Sequence, residues 1–144
     1  MPLILLIAGC GDSKKPSPDE QVTRAAYAQQ ADAVCQEAED ALEVLGQPDG
    51  MNDLPAYAKQ AAAVVTQERD DLKALQAPPG DEGRVEELNE TLDAVVRVAK
   101  GLEKVAASGD PAAIDDFVKQ NGAVDQKAKQ LAKELGMQVC GASQ

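Results

Sequence analysis

The sequence contains no histidine and no tryptophan, and only one phenylalanine and two tyrosines in 144 residues. The absence of His removes the commonest general base at neutral pH and the commonest transition-metal ligand. Ser-His-Asp and Cys-His catalysis, zinc sites that need imidazole and CxxCH haem attachment are excluded on that ground. Di-iron carboxylate bundles go with them, because their Glu-x-x-His element needs the imidazole. The shortage of rings leaves almost nothing for a sugar platform, which weighs against glycoside cleavage by paired carboxylates. Cations are also scarce: 14 Lys and Arg stand against 25 Asp and Glu, a net charge of -11. Phosphate backbones are bound by clustered Lys and Arg, so nucleic acid is not an expected partner. No Gly-rich phosphate loop, nucleophile elbow, kinase signature or EF-hand loop is present. These absences point to a protein that is not an enzyme and carries no cofactor or metal.

The chain opens on an uninterrupted apolar run, Leu3 to Ala8, that ends in small residues before Cys10. The run is far too short for a spanning helix, which needs about 20 apolar residues. It matches the apolar core of a secretory signal with a small-residue cleavage site. Ile7-Ala8-Gly9-Cys10 resembles the lipobox of bacterial lipoproteins. That resemblance, carried by the first ten residues, implies a signal peptide over residues 1–9 and a diacylglyceryl group on the Cys10 thiol. Cleavage would leave Cys10 as the mature N-terminus. No Lys or Arg precedes Lys14, so the basic opening of such a signal is expected upstream of Met1.

Two or more acyl chains anchor stably, at about 0.8 kcal/mol for each buried CH2, so neither an amphipathic helix nor a basic patch is required. Residues 10–17 then read as the lipidated Cys and a flexible tether, polar and rich in turn formers. Extended, the tether lifts the folded part on the order of 20 Å from the membrane. The expected location is the cell membrane, with the domain on the extracytoplasmic side.

Four helices are predicted for the domain over residues 18–144. Ser17-Pro18-Asp19-Glu20 combines a capping box with a first-turn Pro and opens the first. Its seam is Tyr27, Ala31, Val34, Ala38, Leu42 and Leu45, and Gly46 stops it. The second runs from Asp53-Leu54-Pro55 along Ala58, Ala61, Val65, Leu72 and Leu75 to the Ala77-Pro78-Pro79-Gly80 breaker. Asp81 is placed to cap the third, whose seam of Val85, Leu88, Leu92, Val95, Ala99, Leu102 and Ala106 alternates threes and fours. After Gly109-Asp110-Pro111 the fourth carries Ile114, Phe117, Val124, Ala128, Leu131 and Leu135. Connections of about two to eight residues favour antiparallel neighbours. The expected fold is all-α, an up-down-up-down four-helix bundle, with a three-helix or open arrangement as its rival. The many Ala positions predict close helix approach and a thin core.

With Cys10 acylated, Cys35 and Cys140 remain as a pair, and outside the cytoplasm such a pair is expected to oxidise. Closing a loop of about a hundred residues contributes roughly 4 to 5 kcal/mol in the chain-entropy description. With helices one and four side by side and their ends aligned, Cys35 lies level with Asn121, some 20 Å from Leu135 at about 1.5 Å per residue. The tail must therefore fold back along the bundle, or the fourth helix must be staggered or shortened.

Two polar residues interrupt the apolar seams: Glu68 on the second helix and Asn121 on the fourth. In an aligned bundle Thr91 shares their mid-height, and Tyr27 lies within about two turns. Together they form a candidate polar site for a small ligand. The competing readings are a half-exposed Glu68, and an Asn121 that fixes register or marks a bend at Gly122. The acidic groups Glu37/Glu39/Asp40, Glu68/Asp70/Asp71, Glu86/Glu87/Glu90 and Asp115/Asp116 read as solvated helix faces.

Abundant Ala, Val and Asp, with a closing Leu-Gly-x-x-x-Cys-Gly at Leu135 to Gly141, resemble small uncharacterised secreted helical proteins of high-GC bacteria. The resemblance implies no activity. The expected function is that of a non-catalytic envelope lipoprotein that engages a protein partner through an exposed helix face. The alternative is a small-molecule or cation binder that uses the mid-bundle polar residues.

Overall fold

The computed structural model describes residues 21–142. The predicted signal segment, Cys10, the tether and the Ser17-to-Glu20 capping box lie outside the described residues. Four helices form: α1 (Arg24–Leu45), α2 (Leu54–Lys73), α3 (Glu82–Ala106) and α4 (Pro111–Glu134). No strand occurs among the described residues, and no helix there is long and apolar enough to cross a membrane.

The first helix starts later than the capping box predicts. Thr23 is its N-cap, with the hydroxyl accepting the Ala26 N–H at 3.1 Å, so Gln21 and Val22 precede the helix. A single hydroxyl at N-cap is enough to end the extended segment. Asp110 caps α4 in the same way, accepting from Ala112 N–H at 3.0 Å ahead of Pro111. Asp81 occupies the N-cap position of α3 but makes no capping bond. Its carboxylate turns instead to the Arg24 guanidinium, with Nε 2.6 Å away, and so ties the start of α1 to the start of α3.

Cross-helix pairs fix how the elements lie. Phe117 at the start of α4 packs against Gly101 near the end of α3, so closely that a Cβ there would fall 2.6 Å from the ring. Toward the other end of the same pair, Lys127 reaches Glu87 at 2.9 Å and Arg84 reaches Glu134 at 3.5 Å. Arg69 and Lys73 of α2 both hold Asp93 of α3 at 3.0 Å. The first helix packs on α2, yet no Cα of α1 comes within 8 Å of α3 or α4. The close approach expected from the Ala-rich seams is not made between α1 and α4.

The residues after α4 fill that separation. Gly136, at φ 86°, turns the chain out of the helix. Met137 N–H then donates to Ala132 C=O and Gly136 N–H to Lys133 C=O, both at 3.0 Å. This is the paired-bond Schellman ending, which needs a left-handed residue that Gly adopts without steric cost. Leu135 and Met137 are buried beside Tyr27, Ala28, Ala31 and Cys35 of α1, Leu72 of α2 and Val85 and Leu88 of α3. The large apolar side chains thus gather at one end, where each fully buried one contributes about 1.5–3 kcal/mol. Toward the other end the buried side chains are small, Ala58, Ala62 and Ala106, with Val96 between.

Candidate functional site

The tail's course solves the reach problem posed by Cys35. Having reversed at Gly136, it runs along α1, and Cys140 forms the disulfide with Cys35, their Cα atoms 5.4 Å apart. Asp32, one turn earlier on α1, holds the same segment. Its carboxylate accepts the N–H groups of Gln138 and Val139 at 2.8 Å and of Cys140 at 3.2 Å. Three consecutive amides aimed at one carboxylate form an anion-binding nest. Gly141 then lies so close to α4 that a Cβ would sit 2.6 Å from the Lys133 side chain and 3.4 Å from its backbone nitrogen. The tail is therefore fastened at its side chain, its backbone and its last turn.

Between the helices and this tail lies a cavity of about 220 Å³. Its walls are mostly apolar: Ala38 and Leu42 of α1, Val65 and Leu72 of α2, Leu88 and Leu92 of α3, Ala128 and Ala132 of α4, and Met137 and Val139 of the tail. Four charged side chains also line it, Glu39, Glu68, Asp125 and Lys129. Lys129 is 2.9 Å from Asp125, one turn away on α4.

Glu68 is half-buried on α2 and makes no hydrogen bond or ion pair among the described residues. Burial pushes its carboxyl up from 4.5 to about 7, and the charges of Glu39 and Asp125 push the same way. Desolvation penalises the charged form, and like charges add to that penalty. The shift is the opposite of those at Asp81 and Asp93. Asp81 is held below the usual carboxylate range by its bond from Arg24, and Asp93 chiefly by its bond from Lys73.

The other three residues of the predicted polar site do not join Glu68. Thr91 is buried, but its hydroxyl donates to Glu87 C=O at 2.8 Å, and it borders a separate groove between α3 and α4. Asn121 donates to Phe117 C=O at 2.8 Å, one turn back on its own helix. Small polar side chains in helices commonly satisfy themselves this way. Tyr27 is fully buried in the core, and its hydroxyl has no hydrogen-bond partner among the described residues. Equal height along a bundle does not mean a shared face: each residue's angular position around its helix decides the matter.

Reading the seams missed Glu39, Asp125 and Lys129, which stand at the seam edges. Spacing offered one signal, since Glu39 lies four residues after Cys35 and Asp125 and Lys129 flank Ala128. Asp32 had only its position three residues before Cys35. Among the described residues, no three Cys, Asp or Glu side chains converge in a way that could hold a metal ion. No protein-family model matches the chain, and neither the curated proteins nor the solved structures contain a significant match to it.

Proposed function

We propose that the chain is a lipid-anchored protein of the cell envelope whose helical domain binds a small molecule in the Glu68 cavity without catalysing its conversion. The observation that carries this reading is the cavity itself: an apolar chamber with one unpaired carboxyl and few other polar groups. Small-molecule sites have this composition, apolar walls for affinity and a few polar groups for orientation. In this reading Cys10 bears the lipid after removal of residues 1–9, and the domain faces the extracytoplasmic side. The helices run up-down-up-down, supported by the pairing of Gly101 with Phe117 and of Arg84 with Glu134.

A protein-observed methyl NMR screen of the full chain with fragments of about 6 to 12 non-hydrogen atoms tests the binding reading. Binding is expected to shift the methyl resonances of Val65, Leu88 and Leu92, and Ala128→Leu, which fills the chamber, is expected to abolish it. A library in which no compound shifts those resonances would sink the reading. Metabolic labelling with an alkyne fatty acid tests the anchor, with label expected on the wild type and absent from Cys10→Ser.

A second reading, an accessory module that engages an envelope protein, is favoured by a different observation. Val44, Met51 and Val118 are exposed large apolar residues, and they fall at the end of α1, in the α1–α2 connection and in the first turns of α4. Crosslinking in native membranes with the tether intact tests it. One defined partner, lost when these three become Ser, is the expected result.

A further inference from the structure

We infer that the occupant of the cavity is a small organic cation with an apolar body, an alkyl- or arylammonium ion, for which Glu68 is the counter-ion. The inference rests on the reading of the chamber as a binding site and adds the chemical class of its ligand. Size sets the first bound. A dry cavity of about 150 Å³ lined by apolar side chains admits benzene, so one of about 220 Å³ admits a ring with a short substituent. Leu72, Leu88, Leu92 and Ala132 offer such a ring apolar contact on several sides.

Charge sets the second bound. Among the lining side chains three carboxyls face one ammonium, and that ammonium, Lys129, lies 2.9 Å from Asp125. Among the described residues Glu68 is left half-buried without a donor, which is costly for a carboxylate unless a partner arrives. An ammonium group supplies a charge-assisted hydrogen bond at that point. An anionic ligand meets the repulsion of the same three carboxyls. A bare metal ion fits poorly, because hard cations need six or more oxygen ligands and the remaining walls are apolar.

Protonation couples to binding. The charged groups that share a lining with Glu68 are Glu39 and, on the outer side, Glu37 from α1, Asp71 from its own helix, and Asp125 and Lys129 from α4; the cavity-lining residues of α3 and the tail carry no titratable group. Burial and the like charges of Glu39 and Asp125 keep the Glu68 proton on to near neutrality. An ammonium ligand displaces that proton, so its affinity falls as pH drops below about 7.

The experiment is an NMR titration of the full chain in detergent with three probes of nearly one shape: benzylammonium, benzyl alcohol and benzoate. Benzylammonium is expected to bind about tenfold or more tighter than benzyl alcohol at about pH 8, with benzoate weakest. Its advantage is expected to shrink by a similar factor at about pH 5. Glu68→Gln is expected to erase both the preference and its pH dependence while benzyl alcohol still binds. The pH series on the wild type needs no variant and stands if Glu68→Gln fails to fold. Equal binding of the alcohol and the ammonium ion, or a preference that survives in Glu68→Gln, overturns the cation inference and leaves the cavity a binding site. Failure of all three probes to bind overturns both.

Discussion

Replacing Glu68 by Gln should make the protein more stable at neutral pH and should flatten its stability across the acidic range. In the folded state the Glu68 carboxyl is raised from 4.5 to about 7, so between those values the native protein holds a proton that the unfolded chain has released. Stability then falls as pH rises, since it increases with pH only where the unfolded state binds more protons. The contribution is fully present below pH 4.5 and is lost as pH passes through about 7. At about 1.4 kcal/mol for each tenfold difference in proton affinity the loss is about 3.5 kcal/mol at most, and the partial exposure of the side chain brings it to about 2.

For a domain of this size that is roughly 5–10 °C in melting temperature between pH 5 and pH 8. Asp81 and Asp93 act in the opposite direction. Their lowered values contribute stability that is lost only as pH falls below 3.8, outside the Glu68 window. Thermal melts followed by circular dichroism at several pH values measure the profile. The wild type should melt higher at pH 5 than at pH 8, and Glu68→Gln should melt at nearly the same temperature at both. A Glu68→Gln profile as steep as that of the wild type would refute the reasoning.

Three further outcomes follow from the clasp and the core. Asp32→Ala leaves three amides of the tail without their acceptor and should cost about 1–2 kcal/mol; hydrogen exchange should accelerate first at Gln138, Val139 and Cys140, and unchanged exchange there would count against the clasp. Removing the Cys35–Cys140 disulfide by Cys35→Ser and Cys140→Ser opens a link across a sequence separation of 105 and should cost about 2–5 kcal/mol by urea unfolding; two freely reactive thiols in the untreated folded protein would contradict the pairing. Tyr27→Phe removes a buried hydroxyl that has no partner among the described residues and should raise stability by about 1 kcal/mol, whereas a loss of that size would mean that the group is satisfied, by a bound water or another part of the chain.

The helices were legible because their seams run at helical spacing between strong punctuation, and Gly46, Gly109 and Gly136 all fall just beyond helix ends. The disulfide was legible by elimination among three cysteines, and the demand that the tail fold back followed from helix rise alone. The start of α1 was misplaced because Ser17 and Thr23 are both sound caps and local sequence does not choose between them. The polar site was misread for a different reason. Glu68, Thr91 and Asn121 share a height, but a hydroxyl or amide can donate to a carbonyl of its own preceding turn, and an ionised carboxylate has no proton to donate. Only the carboxyl was left facing the cavity.

The cavity and the clasp share one physical origin, and it lies in the small residues that predicted close packing. Ala38 on α1 and Ala128 and Ala132 on α4 are too short to meet across the distance that the tail imposes. Leu135 and Met137 wedge α1 away from α4 at the closed end, and the disulfide and Asp32 hold the wedge in place. Deeper along the bundle no such side chain follows, so the separation persists without filler and becomes the chamber beside Glu68. A tail freed by reduction would let α1 move toward α4 and close the space. The volume available to a ligand is thus set by a cross-link that contacts it through Cys35 and Cys140. Binding of benzylammonium to the reduced protein should accordingly weaken even where the helices remain folded by circular dichroism; undiminished affinity after reduction would separate the cavity from the clasp.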